Sequence, residues 1–61
     1  MMYLPDFENA ITDYLENSGQ NPKDWNVHQA AIDLRDLCSE AESIDDVPSG
    51  VFVEVLEENE F

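Results

Sequence analysis

The sequence predicts an all-α fold, a compact three-helix bundle. Apolar residues recur at the helical period in three segments of the chain. Two groups of turn-forming residues, NSGQNP (residues 17–22) and DDVPSG (residues 45–50), separate these segments. The 61 residues are 43% hydrophobic, which is enough for one small core. We therefore expect residues 1–61 to form a single small acidic domain. A domain of this length buries about 60% of the surface that its unfolded chain exposes.

The first predicted helix runs from about Asp6 to Asn17. Pro5 lies near its start, where a helix does not need the N–H group that proline lacks. Ser18 and Gly19 supply the stop signal. The apolar residues fall at i, i+3, i+4, i+7 and i+8, and they are Phe7, Ala10, Ile11, Tyr14 and Leu15. This spacing predicts an amphipathic helix with one side toward the core.

The second predicted helix begins at Pro22 or Asn26 and runs to about Glu42. Its apolar stripe consists of Val27, Ala30, Ala31, Leu34, Leu37, Cys38 and Ala41. Asp33, Asp36 and Glu40 fall near the far side of the helix, within about 60° of arc. The pattern predicts one buried side and an acidic stripe on the other.

The third segment, SGVFVEVLEENEF, fits two structures. As a helix it would start with Ser49 as its cap, bury Val51, Phe52, Val55 and Leu56, and expose its glutamates. As a strand over residues 51–57 it would use the β-branched valines and give an α+β fold. That strand would need a partner, and the only candidate in the chain is MMYL (residues 1–4). We favour the helix, and we expect the protein to be a monomer.

The charge is the strongest compositional signal. Fifteen Asp and Glu face two Lys and Arg, for a net charge of −13. Like-charge repulsion excludes direct binding to nucleic acid and to an anionic membrane, so the expected partner is a basic nucleic-acid-binding protein or complex. The alternative is a solvated acidic surface that only maintains solubility. The near absence of lysine argues against this alternative, because ordinary exposed faces mix both signs.

Catalytic and metal-binding patterns are missing from the sequence. His28 and Cys38 are the chain's candidate base and nucleophile, but ten residues of helix would place them about 15 Å apart. No run matches the calcium loop of an EF-hand, a phosphate loop or a set of zinc ligands. We therefore predict that the protein is not an enzyme and uses no cofactor or metal.

Targeting signals are equally lacking. The start MMYLPDFENA has neither the basic run nor the long apolar run of a secretory signal. No window reaches the roughly 18 apolar residues of a membrane span. The single cysteine, Cys38, excludes an intramolecular disulfide, and it fits a reducing intracellular setting.

The carboxylates of the predicted helices form the candidate partner-binding site. On a helix, Asp33, Asp36 and Glu40 would advance by about 4.5 and 6 Å along the axis. That scale is comparable to the spacing of phosphates along one DNA strand, so a Lys- and Arg-lined site that binds phosphates could accept the protein instead. The full candidate set is Asp33, Asp36, Glu40, Asp45, Asp46, Glu54, Glu57 and Glu58.

The opening MMYLPDFENAITDYLENSG, together with the acidic LRDLCSEAESIDD, resembles small acidic phage-encoded anti-CRISPR proteins. The likeness is to inhibitors of type I CRISPR systems, type I-C among them, and it lies in the character of the whole chain, not in one motif. It implies a DNA mimic that sits on the Cascade surveillance complex in the host cytoplasm. It assigns no role to an individual residue.

A second hypothesis belongs to another class. Trp25 and Ile32 lie away from the main apolar stripe of the second helix. They could form an exposed apolar patch, and aromatic anchors of this kind dominate the energetics of protein interfaces. The protein would then be a helical interaction module, such as an antitoxin or an adaptor.

Overall fold

The computed structural model describes residues 2–61, which form three helices: α1 (Leu4–Asn17), α2 (Val27–Leu37) and α3 (Ser49–Glu58). Short 3-10 turns, Pro22–Asp24 and Ile44–Asp46, lie in the two connections. Residues 2–61 contain no strand, so the predicted all-α three-helix bundle is confirmed and the strand over residues 51–57 is wrong. Met1, which that strand pairing would have used, lies outside the described residues.

Helix α1 begins two residues before the predicted start and ends where the sequence indicates. The Asp6 carboxylate accepts a hydrogen bond from the Tyr3 N–H at 2.9 Å, which satisfies a backbone donor at the helix start. Pro5 is tolerated because it lies in the first turn. Gly19 follows the helix with φ 76°, a left-handed conformation that lets the chain reverse.

Helix α2 is shorter than predicted. The Asn26 side chain accepts a hydrogen bond from the Gln29 N–H at 3.2 Å and caps the start. The helix ends at Leu37, five residues before the predicted end at Glu42. Carboxylates crowd this end, and the negative end of the helix dipole disfavours them. The chain turns back after Cys38, and the turn buries Ala41 against the core.

Helix α3 forms in spite of its valines. The Phe52 N–H donates to the Pro48 carbonyl at 3.0 Å, so Ser49 is the first helical residue and not the predicted cap. Phe52, Val55 and Leu56 are buried on one side of the helix. The strand preference of valine is largely a preference for packing surfaces, and here the packing favours the helix.

The core is a single apolar cluster, and α1 packs against α2 more extensively than any other pair of helices. Two small residues, Ala30 and Ala31, are fully buried on α2 and allow a close approach. Two predicted core residues lie outside: Leu37 is 66% exposed and Tyr14 is 42% exposed. Leu37 is the last residue of α2, and it lines an open groove beside α3 instead of the core. The buried set is Phe7, Ile11, Leu15, Ala30, Ala31, Leu34, Ala41, Val47, Phe52, Val55 and Leu56.

The ends of the chain are fastened to the connections by backbone hydrogen bonds. The Asn26 N–H donates to the Asn59 carbonyl at 2.8 Å, and the Phe61 N–H donates to the Asp24 carbonyl at 3.0 Å. At the other end, the Met2 N–H donates to the Ala41 carbonyl at 3.2 Å. The first two bonds tie the C-terminal end of α3 to the segment before α2, and the third ties Met2 to the turn after α2. None of the helices within residues 2–61 has the length and apolar character to cross a bilayer.

A pair of leucine substitutions tests the core boundary. Leu34→Ala should lower the free energy of unfolding by about 2–5 kcal/mol, because it opens a cavity at a fully buried site. Leu37→Ala should change it by about 0.5 kcal/mol or less, because the side chain is exposed. Urea denaturation followed by far-ultraviolet circular dichroism measures both. Equal losses for the two variants would contradict the core described here.

Candidate functional site

The carboxylates cover the surface of the bundle, and few of them meet a cation. All of the fifteen except Glu8 and Asp33 are exposed. Within residues 2–61, basic side chains lie near two carboxylates: the His28 imidazole contacts Glu8 at 2.6 Å, and the Arg35 guanidinium lies 3.9 Å from Asp36. The second pair is solvent-exposed and therefore contributes little. The negative charge of the surface is left almost entirely unneutralised.

Asp33 has a structural role. Its carboxylate accepts hydrogen bonds from the Gln29 side-chain amide at 3.0 Å and from the Asn59 side-chain amide at 3.1 Å. The same Asn59 amide donates to the Val55 carbonyl at 2.8 Å. Asp33 thereby joins α2 to the C-terminal end of α3, and its oxygens already have partners inside the protein.

The predicted stripe of Asp33, Asp36 and Glu40 does not form on one helix. Helix α2 ends at Leu37, and Glu40 lies in the turn that follows. The 3.6-residue period that placed Glu40 above Asp36 therefore does not apply beyond Leu37. Of the three, only Asp36 is an exposed carboxylate on the helix itself.

The connection between α2 and α3 carries four acidic residues, Glu40, Glu42, Asp45 and Asp46. Glu40 and Asp46 line the same small cavity of about 390 Å³ next to Ser39. The Asp46 carboxylate also accepts a hydrogen bond from the Glu42 N–H at 3.1 Å, which orders the loop. Asp45 is exposed beside them. The structure thus brings three predicted residues, Glu40, Asp45 and Asp46, into one connection.

The predicted glutamates of α3 point in two directions. Glu54 and Glu58 line a groove of about 570 Å³ between α2 and α3, together with Leu37 and Cys38. Glu57 lines a different cavity, next to Trp25. The predicted residues therefore surround the bundle instead of forming one flat face.

The sequence did not predict a second groove, of about 650 Å³, which lies between α1 on one side and α3 with its preceding connection on the other. We call it the α1–α3 groove. Asp45 is the one predicted site residue that lines it, and it lies there with Asp6 and Asp13 of α1. The seven-residue spacing of those two aspartates, which puts them on one side of a helix, could have indicated this edge.

The alternative anchors, Trp25 and Ile32, are both half-buried. Trp25 packs against the core, lines a cavity with Leu15 and Leu56, and pairs through its backbone with Glu60. Ile32 lies outside the core cluster. Much of the Trp25 side chain is therefore used to stabilise the fold, and less of it is available to a partner than the sequence suggested.

The candidate catalytic residues are engaged elsewhere. The His28 imidazole contacts Glu8 of α1, and the Cys38 side chain is half-buried against the core. Within residues 2–61, no group of three His, Cys, Asp or Glu side chains is placed to hold a metal ion. The arrangement offers hydrogen-bond acceptors and negative charge to a partner.

Comparisons of the chain with protein-family models, with curated proteins and with solved structures each gave no match. The charges, the shape and the grooves of this molecule are therefore the structural basis for assigning it a function.

The role of Asp33 can be separated from that of an ordinary surface carboxylate. Asp33→Ala should lower the free energy of unfolding by about 1 kcal/mol for each lost hydrogen bond, although it reduces the net negative charge. Asp36→Ala should leave this free energy unchanged or raise it, because the exposed pair with Arg35 contributes little and the substitution relieves repulsion. Thermal or urea unfolding distinguishes the two. An equal stabilisation by both substitutions would show that Asp33 is not structural.

Proposed function

We propose that the protein is a non-enzymatic inhibitor that mimics double-stranded DNA. It occupies the DNA-binding surface of a host defence complex, a type I CRISPR Cascade, in the host cytoplasm. The choice of Cascade comes from the resemblance to anti-CRISPR proteins. The choice of DNA mimicry has separate support in the charge and dimensions of the bundle.

The observation that carries the proposal is the amount of charge per unit length. The bundle measures 28 × 20 × 19 Å and carries a net charge of −13. Duplex DNA carries one negative charge per roughly 1.7 Å of axis, so a piece as long as the bundle holds about 16. The protein thus approaches the charge of a duplex segment of its own length, and within residues 2–61 Asp36 is the one exposed carboxylate with a cation nearby, Arg35.

A channel lined by Lys and Arg would bind such a surface through the same side chains that bind DNA. Lys and Arg side chains that bind phosphate oxygens also form short, charge-assisted hydrogen bonds with carboxylate oxygens. The carboxylates lie on short helices and on a loop ordered by the Asp46 hydrogen bond. The negative field would also steer the protein toward the channel and raise its association rate.

The competing class is a helical interaction module, such as an antitoxin or an adaptor, anchored by Trp25 and Ile32. An apolar anchor predicts binding that changes little with salt, because burial of apolar surface does not depend on charge screening. DNA mimicry predicts the opposite.

A competition assay tests the proposal. Purified type I-C Cascade is mixed with fluorescently labelled target duplex, and the protein is added while polarisation is followed. We expect displacement of the duplex, with an apparent affinity that falls about tenfold or more between about 50 and 200 mM salt. Unchanged DNA binding at saturating protein would contradict inhibition of this complex. Displacement that is insensitive to salt, and is lost in Ile32→Ser, would favour the apolar module.

Two charge-matched triple variants identify the side that makes the contact. One replaces Glu40, Asp45 and Asp46 with their amides, and the other replaces Glu54, Glu57 and Glu58. The amides keep a hydrogen-bond acceptor, so the Asp46 contact can persist. We expect the first triple to weaken displacement about tenfold or more, because its three carboxylates lie in one connection, whereas the glutamates of α3 point in two directions. If neither triple changes the affinity, these carboxylates do not contact the complex. Circular dichroism confirms that both variants fold.

A further inference from the structure

We propose that the α1–α3 groove binds a basic amphipathic helix of a partner protein. This site goes beyond DNA mimicry, because its floor is apolar and would contact side chains, whereas a DNA mimic needs only carboxylates that meet basic groups. The floor, the charged rim and the exclusion of other occupants support the proposal in turn.

The floor is apolar and partly aromatic. The Tyr14 and Phe52 rings meet edge to face, with centroids 5.0 Å apart and an interplanar angle of 74°. Tyr14 is 42% exposed and Val53 is 38% exposed, and Ala10 adds little bulk between them. The apolar stripe of α1 is thus wider than the core can cover. Concave surfaces lined by apolar and aromatic side chains are typical binding sites.

The rim is acidic on both sides. Asp6 and Asp13 border the groove on α1, and Asp45 borders it on the connection that leads to α3. Within residues 2–61 none of these three carboxylates has a cationic partner. Asp6 gives one oxygen to the Tyr3 N–H, and its charge still faces the solvent. An occupant must therefore present an apolar ridge flanked by cations.

The spacing of the rim favours a helical occupant. Asp6 and Asp13 are seven residues apart, two helical turns or about 10.5 Å along α1. Apolar residues at i, i+4 and i+7 of a second helix cover the same distance, and lysines or arginines beside them reach both aspartates. Recognition of this kind combines an apolar anchor with complementary charge.

Other occupants conflict with the charge of the protein. A second copy would bring another net charge of −13 against the groove, without an excess of cations to offset it. Nucleic acid and anionic lipid are repelled by the same rim. A basic protein segment satisfies both the floor and the rim.

A synthetic peptide provides the test. The probe is a helix of about 14 leucines and lysines with leucine at the helical period, and its control has the same composition in scrambled order. The ¹⁵N-labelled protein is titrated with each peptide, and backbone amide shifts are recorded by nuclear magnetic resonance. We expect the helical peptide to shift the amides around Ala10, Asp13 and Val53, and to bind about tenfold more tightly than the scrambled one.

Matched variants separate the groove from general charge attraction. Asp13→Asn should weaken peptide binding about threefold, because Asp13 borders the groove. Glu16→Gln, on the same helix but outside the groove, should weaken binding less than about twofold, because its charge acts on the peptide only through screening solvent. Val53→Ser should weaken it about fivefold, and Leu37→Ser, at an exposed leucine outside the groove, should have no effect. Circular dichroism confirms the fold of each variant.

Several results would overturn the proposal. They are equal affinity for the scrambled peptide, amide shifts spread over the whole acidic surface, and equal effects of Asp13→Asn and Glu16→Gln. The experiment contains neither DNA nor Cascade. Failure of the groove proposal therefore leaves DNA mimicry standing, and failure in the competition assay leaves the groove proposal standing.

Discussion

Helices α1 and α2 form the largest helix-to-helix contact of the bundle, and their packing opposes the mutual repulsion of the surface charges. Fifteen carboxylates repel one another across a body only 28 Å long, and two Lys and Arg do little to offset them. The core that opposes this repulsion is purely apolar, since no polar side chain is buried within residues 2–61. The small Ala30 and Ala31 allow α1 to approach closely, and the pair becomes the base onto which α3 is fastened.

The third helix is held by the burial of Phe52, Val55 and Leu56 and by hydrogen bonds at its C-terminal end. Its C-terminal end is tied to α2 through Asn59, which bonds Asp33 with its side chain and Asn26 with its backbone. Toward α1 it meets the Tyr14 ring through Phe52. Because α3 packs on α2 and only lightly on α1, space remains between α1 and α3. The groove is thus a direct consequence of the way this small core is assembled.

The sequence predicted the three helices because apolar periodicity and turn residues agree with the final packing at nearly every position. The end of α2 was predicted incorrectly. Leu37, Cys38 and Ala41 keep the helical period, which predicts a longer helix. The carboxylates around them are disfavoured by the negative end of the helix dipole, and the period does not show this effect. The candidate site was harder to predict. A helical wheel shows which carboxylates face outward. It cannot show that the side-chain amide of Asn59, twenty-six residues away, donates a hydrogen bond to the Asp33 carboxylate. Nor can it show which part of an apolar stripe is left uncovered by a third helix.

The acidic surface and the groove would perform different tasks in recognition. Charges spread around the whole bundle attract any basic surface over roughly one Debye length, about 8–10 Å, and so they raise the rate of encounter without choosing a partner. Contacts at the apolar floor act only after water has been displaced, and they depend on the shape of the occupant. A protein with carboxylates alone would bind every basic site with similar affinity. An uncovered apolar groove beside Asp6, Asp13 and Asp45 would let the same small domain discriminate among basic surfaces, because discrimination requires contacts that wrong partners cannot make.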